Sequence, residues 1–323
     1  MKAIRFSRTG GPEVLQLQDV GLPPPGPGEA RVRHTAIGVN FIDIYHRSGL
    51  YPVVLPSGLG IEAAGVVEAL GEGVTGLKIG TRVGYAPGPL GAYAQATNIA
   101  AARLVELPDS VSDETAAASL LKGMTAQFLL TRTFAVNPGE TILWHAAAGG
   151  VGLIACQWAK HLGATVIGTV GSKEKIALAR ANGCDHVLLT SDANWSAQVR
   201  ELTGGNGVPV VYDSIGRDTW TGSLDSLAVR GMMVSFGNAS GAVPEFSPGL
   251  LAAKGSLFVT RPTIAHYTRD RRELQETADD LFAVIVSGAV KIAINQKFAL
   301  ADAHLAHEAL QSRNTTGATI LIP

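Results

Sequence analysis

Residues Thr141 to Lys160 bring together three things that dinucleotide chemistry needs. An apolar run, Thr141 to His145, reads as a buried strand. A turn of small residues follows, Ala147-Ala148-Gly149-Gly150-Val151-Gly152, and a helical pattern continues without a break from Leu153 to Lys160. A strand that turns tightly into a helix lets the backbone approach a pyrophosphate closely. The helix then offers it free N–H groups and the positive end of its dipole. The spacing is A-x-G-x-x-G, with Ala147 where the usual fingerprint has its first glycine. Glycine-rich turns also join strands to helices for packing alone, so the strand and helix on either side carry the reading.

The second strand of such a fold ordinarily ends in an acid, about twenty residues after the turn, that holds the ribose 2′-hydroxyl of NAD. Here the strand Ala164 to Val170 ends in Gly171-Ser172-Lys173-Glu174-Lys175. A tip without an acid, with a hydroxyl and lysines, suits a 2′-phosphate, which wants donors and positive charge. The expected cofactor is therefore NADPH. Glu174, one step into the next helix, opposes this reading.

A metal-assisted hydride transfer needs Cys, His or carboxylate ligands at workable spacing. Neither of the two cysteines, Cys156 and Cys184, lies in the first third of the chain, where such a site would fall. His304 and His307 share a helix face, but two histidines in a late helix are more often surface or packing residues. No metal site is expected. Transfer without a Lewis acid suits an acceptor that is already electrophilic, a quinone or another conjugated carbonyl, and suits simple alcohols poorly.

These groups must be positioned by a larger frame. Residues 1 to about 120 read as short alternating strands and turns, among them Ala30–Val39, Val66–Gly71 and Thr81–Tyr85, with Pro23–Gly28 as a rigid connection. After Pro108 the grammar changes. Ser112-Asp113-Glu114-Thr115 looks like a helix start, with a capping residue and an acidic first turn, and the helical pattern runs towards Thr133. From Thr141 strands alternate with helices, which implies a parallel sheet covered on both faces. The expected helices are Lys173–Ala181, Asn194–Leu202 and Thr219–Ala228, and the later strands Met232–Gly237 and Ser256–Val259. A helix from Arg272 to Ser287, a helix Leu300–Gln311 and a strand Ala318–Ile322 finish the chain. The fold expected is α/β: a central doubly wound Rossmann sheet over 125–264, and a β-rich, partly closed barrel-like domain from 1–124 with 265–323.

Length and composition narrow the function classes. The chain has 323 residues, 46% hydrophobic and 16% charged, enough for two domains with large cores. A net charge of −1 gives no global field for nucleic acid or an anionic membrane. No apolar run reaches membrane-spanning length, and Met1–Phe6 does not read as a signal peptide. With two cysteines far apart in sequence, the expected compartment is the cytoplasm, with both thiols reduced.

The order of these parts resembles the medium-chain dehydrogenase/reductase superfamily, and within it the zinc-free, zeta-crystallin-like quinone oxidoreductases. Four stretches carry the likeness: Asn40–Pro52, His145–Gly152, Tyr212–Gly216 and Val234–Gly241. Gly60-Ile61-Glu62 stands where zinc-using relatives carry Gly-His-Glu, and a cysteine ligand is replaced near Asn40. The resemblance implies a GroES-like first domain. It implies that Gly149, Gly150, Val151 and Gly152 meet the pyrophosphate and that Gly171, Ser172 and Lys175 hold the 2′-phosphate. It places Phe236, Gly237, Asn238 and Ala239 at the nicotinamide end, with Thr125 at the carboxamide. Phe41, Ile42 and Arg313 would reach the cofactor from the first domain. Thr190 stands where relatives often have a tyrosine beside the adenosine phosphate.

By the same resemblance Asn40, Asp43, Tyr45 and Tyr51 would line the substrate cleft. A quinone that takes hydride needs orientation and a donor for the developing oxyanion. Asn40 and Asp43 also suit turn or cap hydrogen bonds, so Asp43 has two roles open, structural and catalytic. The activity expected is NADPH-dependent reduction of a quinone in an interdomain cleft. The alternative on the same fold is an enoyl or alkenal reductase. A non-enzymatic alternative is an NADPH-binding crystallin-like protein or an AU-rich RNA-binding protein, and the near-neutral charge counts against the RNA reading. A homodimer is implied by resemblance, with edge pairing of Ser256–Val259 as a route.

Overall fold

The computed structural model describes residues 1–313 and 315–323. The chain divides into two compact units, one of Met1–Met124, Thr268–Val286 and Ile292–Pro323, the other of Thr125–Tyr267 and Ser287–Lys291.

The first unit is built on the strand Glu29–Val39, which pairs antiparallel with Ala63–Leu70 on one side and with Ala96–Ala100 and Ala318–Ile322 along the other. The sheet has seven strands and continues through Arg82–Tyr85 to Val105–Glu106 at one end and to Ile294–Ala299 at the other. A small sheet of Gln16–Asp19, Lys2–Phe6 and Ser57–Gly58 adds to it. Val32, Ile37, Val67, Val83, Tyr85, Tyr93 and Ile99 are buried together as its core. Full burial of such side chains contributes about 1.5–3 kcal/mol each. Register shifts between Arg31 and Val32 and between His34 and Ala36 mark where Glu29–Val39 departs from regular pairing.

The second unit holds a six-stranded sheet whose strands all pair in parallel. Its order is His186–Leu189, Thr165–Val170, Thr141–Trp144, Val208–Asp213, Leu227–Ser235, Phe258–Thr260. The order reverses beside Thr141–Trp144, and ligands of doubly wound sheets bind at the carboxyl ends of the strands at such a switch. Leu143, Ile167, Val211 and Met233 from the strands pack with Trp195, Val199, Trp220 and Leu224 from covering helices.

Several expectations need correction. The stretch after Val39 is a helix, Phe41–Ser48, closed by Gly49 at φ 84°; only a residue without a Cβ takes that angle without strain. Ile294–Ala299 is a strand that the sequence reading passed over. The expected helix Thr219–Ala228 stops at Ser226, because Leu227 pairs in parallel with Val208 and the strand starts there. Helix Lys173–Ala181 begins as a tight 3₁₀ turn over Lys173–Lys175 and becomes α-helical at Ile176. The helix from Asp113 ends at Phe128 and continues as a wider π turn over Leu129–Thr133. The second unit keeps residues 265–267 and 287–291. Tyr267 stacks on Phe128 at 4.4 Å, and the Gln157 amide brackets Lys291 by accepting its N–H and donating to its carbonyl. Cys156 and Cys184, far apart in sequence, are buried hydrogen-bond neighbours, and that contact together with burial pushes the Cys156 thiol up.

Candidate active site

In the second unit the central strand runs into the turn through His145, whose N–H donates to the Tyr212 carbonyl at 3.0 Å. Ala146 takes φ 53°, a left-handed angle that costs a residue with a Cβ about 1–2 kcal/mol. The Ala147 N–H donates to the Thr169 carbonyl at 2.9 Å, so the turn is stapled to the neighbouring strand. Gly149 is extended and caps the helix Gly150–His161. A Cβ on Gly152 would lie 2.3 Å from the Ala146 carbonyl oxygen, so only glycine lets the helix start this close to the turn. Strain of this kind persists where the surroundings enforce it, and an anion-binding turn is one such place.

The neighbouring strand Thr165–Val170 delivers Gly171, with open space where a side chain would be, and Ser172, which precedes the tight turn Lys173–Lys175. Thr190 is tied back to this tip, its N–H donating to the Val170 carbonyl at 3.0 Å. Glu174 is fully exposed, and the Ser172 hydroxyl donates to it, which holds its carboxyl below the usual range. The tip thus offers Lys175, a hydroxyl and backbone N–H groups to an anion, with one carboxylate competing for the hydroxyl.

The third element is the loop after Leu227–Ser235. The Phe236 N–H donates to the Asp213 carbonyl at 2.8 Å, and the Phe236 ring lies 5.5 Å from Trp144. Gly237 abuts Ser214, whose carbonyl oxygen a Cβ would approach to 2.5 Å. The Ala239 N–H donates to that same carbonyl at 3.2 Å, while Asn238 and Ala239 are half-buried. The Ser235 hydroxyl, buried just before this loop, has no protein partner. Thr125 is half-buried on the helix Asp113–Phe128. The arrangement can seat an anionic dinucleotide along three strand ends.

In the first unit, Asn40 and Asp43 are buried rather than presented at the surface. Asn40 caps the helix Phe41–Ser48, and its N–H donates to Asp43 Oδ2 at 2.8 Å. Its Nδ2 donates to Glu62 Oε2 at 2.7 Å. Glu62 also accepts the Leu121 N–H at 2.7 Å and faces the Lys122 ammonium at 3.4 Å. Asp43 Oδ2 accepts the Tyr93 hydroxyl as well, Oδ1 is buried without a partner, and burial raises the carboxyl to about 7. Phe41 and Ile42 are half-buried. Tyr45 is buried, with Tyr51 edge-on at 5.1 Å, and Tyr51 is half-exposed. Arg313 is exposed, at φ 60°. Glu62, Tyr93, Lys122 and His307, which complete this polar cluster, were not singled out by sequence reasoning as one group. Only the replaced Gly-His-Glu pattern pointed near Glu62.

Among the described residues no three His, Cys, Asp or Glu side chains gather closely enough to hold a metal ion. The set at Asn40 holds two carboxylates, Glu62, already taken by three donors, and Asp43, whose Oδ2 is taken by two. These residues do not fit a zinc ion.

Known proteins share both units. The alcohol dehydrogenase GroES-like domain matches residues 26–109, and the family described as zinc-binding dehydrogenase matches 150–283. Over 323 residues the chain is 56% identical to a quinone oxidoreductase of Pseudomonas aeruginosa, covering 100% of this chain and 99% of that one. The chain belongs to the quinone oxidoreductase family of the medium-chain dehydrogenase/reductase superfamily. Within that family, the Escherichia coli quinone oxidoreductase crystallised with NADPH superposes with a TM-score of 0.99 at 51% identity, each chain covered in full at 100%. A 2-haloacrylate reductase from Burkholderia is 46% identical, covering 98% of this chain and 97% of its own. The quinone oxidoreductase family accounts for the α/β architecture, with its parallel Rossmann sheet and its separate, largely antiparallel GroES-like unit. No helix among the described residues is long and apolar enough to cross a membrane.

Proposed function

We propose that this protein is an NADPH-dependent quinone reductase that works without zinc. One observation carries the reading. The glycine turn stands beside a strand tip that bears Ser172 and Lys175 with no acid at its end, in a chain alike over its whole length to a quinone oxidoreductase crystallised with NADPH. The close approach enforced by Gly152 and the donor chemistry of the tip fit a phosphorylated dinucleotide. Gly149, Gly150, Val151 and Gly152 would hold the pyrophosphate, and Gly171, Ser172 and Lys175 the 2′-phosphate beside Thr190. Phe236, Gly237, Asn238 and Ala239 would meet the nicotinamide end, and Thr125 its carboxamide, with Phe41, Ile42 and Arg313 as further contacts. When bound, NADPH supplies a hydride.

The protein's own groups then have simpler tasks. Tyr51 and Tyr45 would orient the acceptor and offer a hydroxyl to the oxygen that gains charge. Asn40 and Asp43 would act one layer further in, by fixing the helix start that carries Phe41 and Ile42. A second reading, reduction of a conjugated acid or carbonyl, is favoured by the full-length likeness to the 2-haloacrylate reductase. Rates of NADPH and NADH oxidation, measured side by side with benzoquinones, naphthoquinones and 2-chloroacrylate, separate the two. Faster turnover of quinones with NADPH is expected. Preference for NADH, or turnover of 2-chloroacrylate alone, overturns the main reading.

We also propose a cytoplasmic homodimer. Phe258–Thr260 is an edge strand with Phe258 exposed, and an unpaired edge of this kind invites pairing with a second copy. Sedimentation of wild type against Phe258→Lys checks it, and a wild-type monomer at micromolar concentration counts against it.

A further inference from the structure

Asp213 ends the strand Val208–Asp213 with its carboxylate fully buried. Oδ1 accepts the N–H groups of Ile215 and Gly216 at 2.8 and 3.0 Å. Oδ2 accepts the hydroxyls of Thr219 and Ser223 at 2.7 and 2.8 Å. All four donors are neutral. Because Ser223 gives its proton to Asp213, its oxygen is left to accept from His145 Nε2, 2.9 Å away. His145 Nδ1 must then accept from the Thr169 hydroxyl at 2.7 Å. The donors therefore run one way, Thr169 to His145 to Ser223 to Asp213, and every member is buried. Burial lowers the His145 imidazole against the pull of Asp213, and none of the four groups that donate to the carboxylate carries a charge.

This chain joins the parts of the site that would carry the two ends of the nucleotide. His145 opens the pyrophosphate turn. Asp213 shapes the turn 213–216, on which the loop Phe236–Ala239 rests through its bonds to the carbonyls of Asp213 and Ser214. A buried carboxylate without a cationic donor favours positive charge nearby. Between the two states of the nicotinamide, only the oxidised ring is cationic.

We propose that Asp213 is a positioning residue that sets the spacing of the two cofactor turns and, through its charge, favours NADP⁺ over NADPH, which eases hydride donation. This rests on the NADPH reading above. The variant Asp213→Asn separates charge from geometry. Its amide oxygen can keep the two backbone N–H groups, and its two N–H bonds match the two hydroxyl oxygens. Ser223 then donates to His145 Nε2, the imidazole proton moves to Nδ1, and the donor chain reverses with its heavy atoms in place.

The test measures Kd for NADP⁺ and for NADPH by titration of the intact protein, together with the ¹⁵N spectrum of the His145 ring. Wild type is expected to bind NADP⁺ at least as tightly as NADPH, with the proton on Nε2. In D213N the ratio Kd(NADP⁺)/Kd(NADPH) should rise about tenfold, and the ring proton should move to Nδ1. Ser223→Ala keeps the charge and cuts the chain, so both affinities should fall together at an unchanged ratio. Equal weakening of both nucleotides by D213N overturns the charge role, and unchanged affinities in S223A overturn the positioning role. Wild-type binding of NADP⁺ tenfold weaker than NADPH overturns the proposal without any variant. A wild type that binds neither nucleotide removes the NADPH reading itself, an outcome distinct from all of these.

Discussion

The hydroxyl of Tyr93 donates to Oδ2 of Asp43 across 2.9 Å, deep inside the first unit. The Tyr93 hydroxyl oxygen in turn lies 3.1 Å from His307 Nε2, which must therefore carry its proton, and His307 Nδ1 accepts from Arg47 at 3.1 Å. Arg47 in turn holds Gln311 and the Gly10 carbonyl. One buried line of donors thus ties the helix Ala303–Gln311 to the cap of the helix Phe41–Ser48. Tyr93→Phe would remove the middle link and leave an imidazole N–H and a carboxylate oxygen each short of a partner. A loss of about 1–3 kcal/mol in urea unfolding is expected. A change within a few tenths of a kcal/mol would show that the line does not brace the cap.

The same carboxyl gives a pH signature. Burial raises Asp43 to about 7 in the folded protein, from 3.8 when exposed. Between those values the folded state holds a proton that the unfolded chain has released, so this group's contribution to stability falls as pH rises from about 4 to 7. Asp43→Asn removes that slope, and the stability of the variant relative to wild type should climb by a few kcal/mol across the interval. Urea midpoints taken at pH 4.5, 6 and 7.5 check the sign.

His34 and His307 act in the opposite sense. Burial lowers them to about 4 and about 3, His307 further by the nearby Arg47 charge. The unfolded chain binds protons at these sites first, so stability is lost as pH falls from 6.5 towards 4. His34 bridges the Ala94 carbonyl at 2.7 Å and the Tyr85 hydroxyl at 3.0 Å. His34→Gln should cost stability at pH 7.5 but flatten the acid limb. An acid limb as steep as that of wild type would rule out His34 as a cause.

What was legible beforehand follows from what each signal depends on. The strands Thr141–Trp144, Thr165–Val170 and Ala318–Ile322 stand where their apolar runs put them, because burial of those runs is local information. The helix Phe41–Ser48 was hidden inside a motif read for its chemistry, although the pair Asn40 and Asp43 has the spacing of a cap. Ile294–Ala299 alternates half-buried and exposed residues, and it becomes a strand because Ala318–Ile322 is there to pair with it. The partnership of Glu62 with Asn40 and Lys122 spans 22 and 60 positions, and no local spacing announces it. Residues of the glycine turn were readable one by one. The buried cluster behind Asn40 was not, since only the fold brings its members together.

Glu174 and Lys175 make opposite predictions at the strand tip. Glu174 takes the Ser172 hydroxyl that a 2′-phosphate would use, and it sets a negative charge beside that phosphate. Glu174→Gln should tighten NADPH binding several-fold and leave NADH nearly unchanged, while Lys175→Ala should weaken NADPH about tenfold. Both are read from nucleotide titrations at low and at moderate salt, since exposed charges are screened. Equal effects on NADPH and NADH would move the phosphate site elsewhere.

Gly152 sets the sharpest steric demand of the turn. A methyl group there would sit 2.3 Å from the Ala146 carbonyl oxygen and 2.8 Å from the Ala147 Cα, both backbone atoms that cannot rotate away. The helix Gly150–His161 would have to back off from a turn already held by the Ala147 bond to Thr169. Gly152→Ala should therefore cost about 1–3 kcal/mol of stability and, because the N–H groups at the helix start shift with it, weaken NADPH and NADH alike. Gly171→Ala is the matched control for stability alone, since nothing lies within 4 Å of a Cβ built there while the residue itself belongs to the proposed 2′-phosphate site. Thermal unfolding and nucleotide titration of the two variants together distinguish a turn that needs glycine for close approach from one that merely tolerates it.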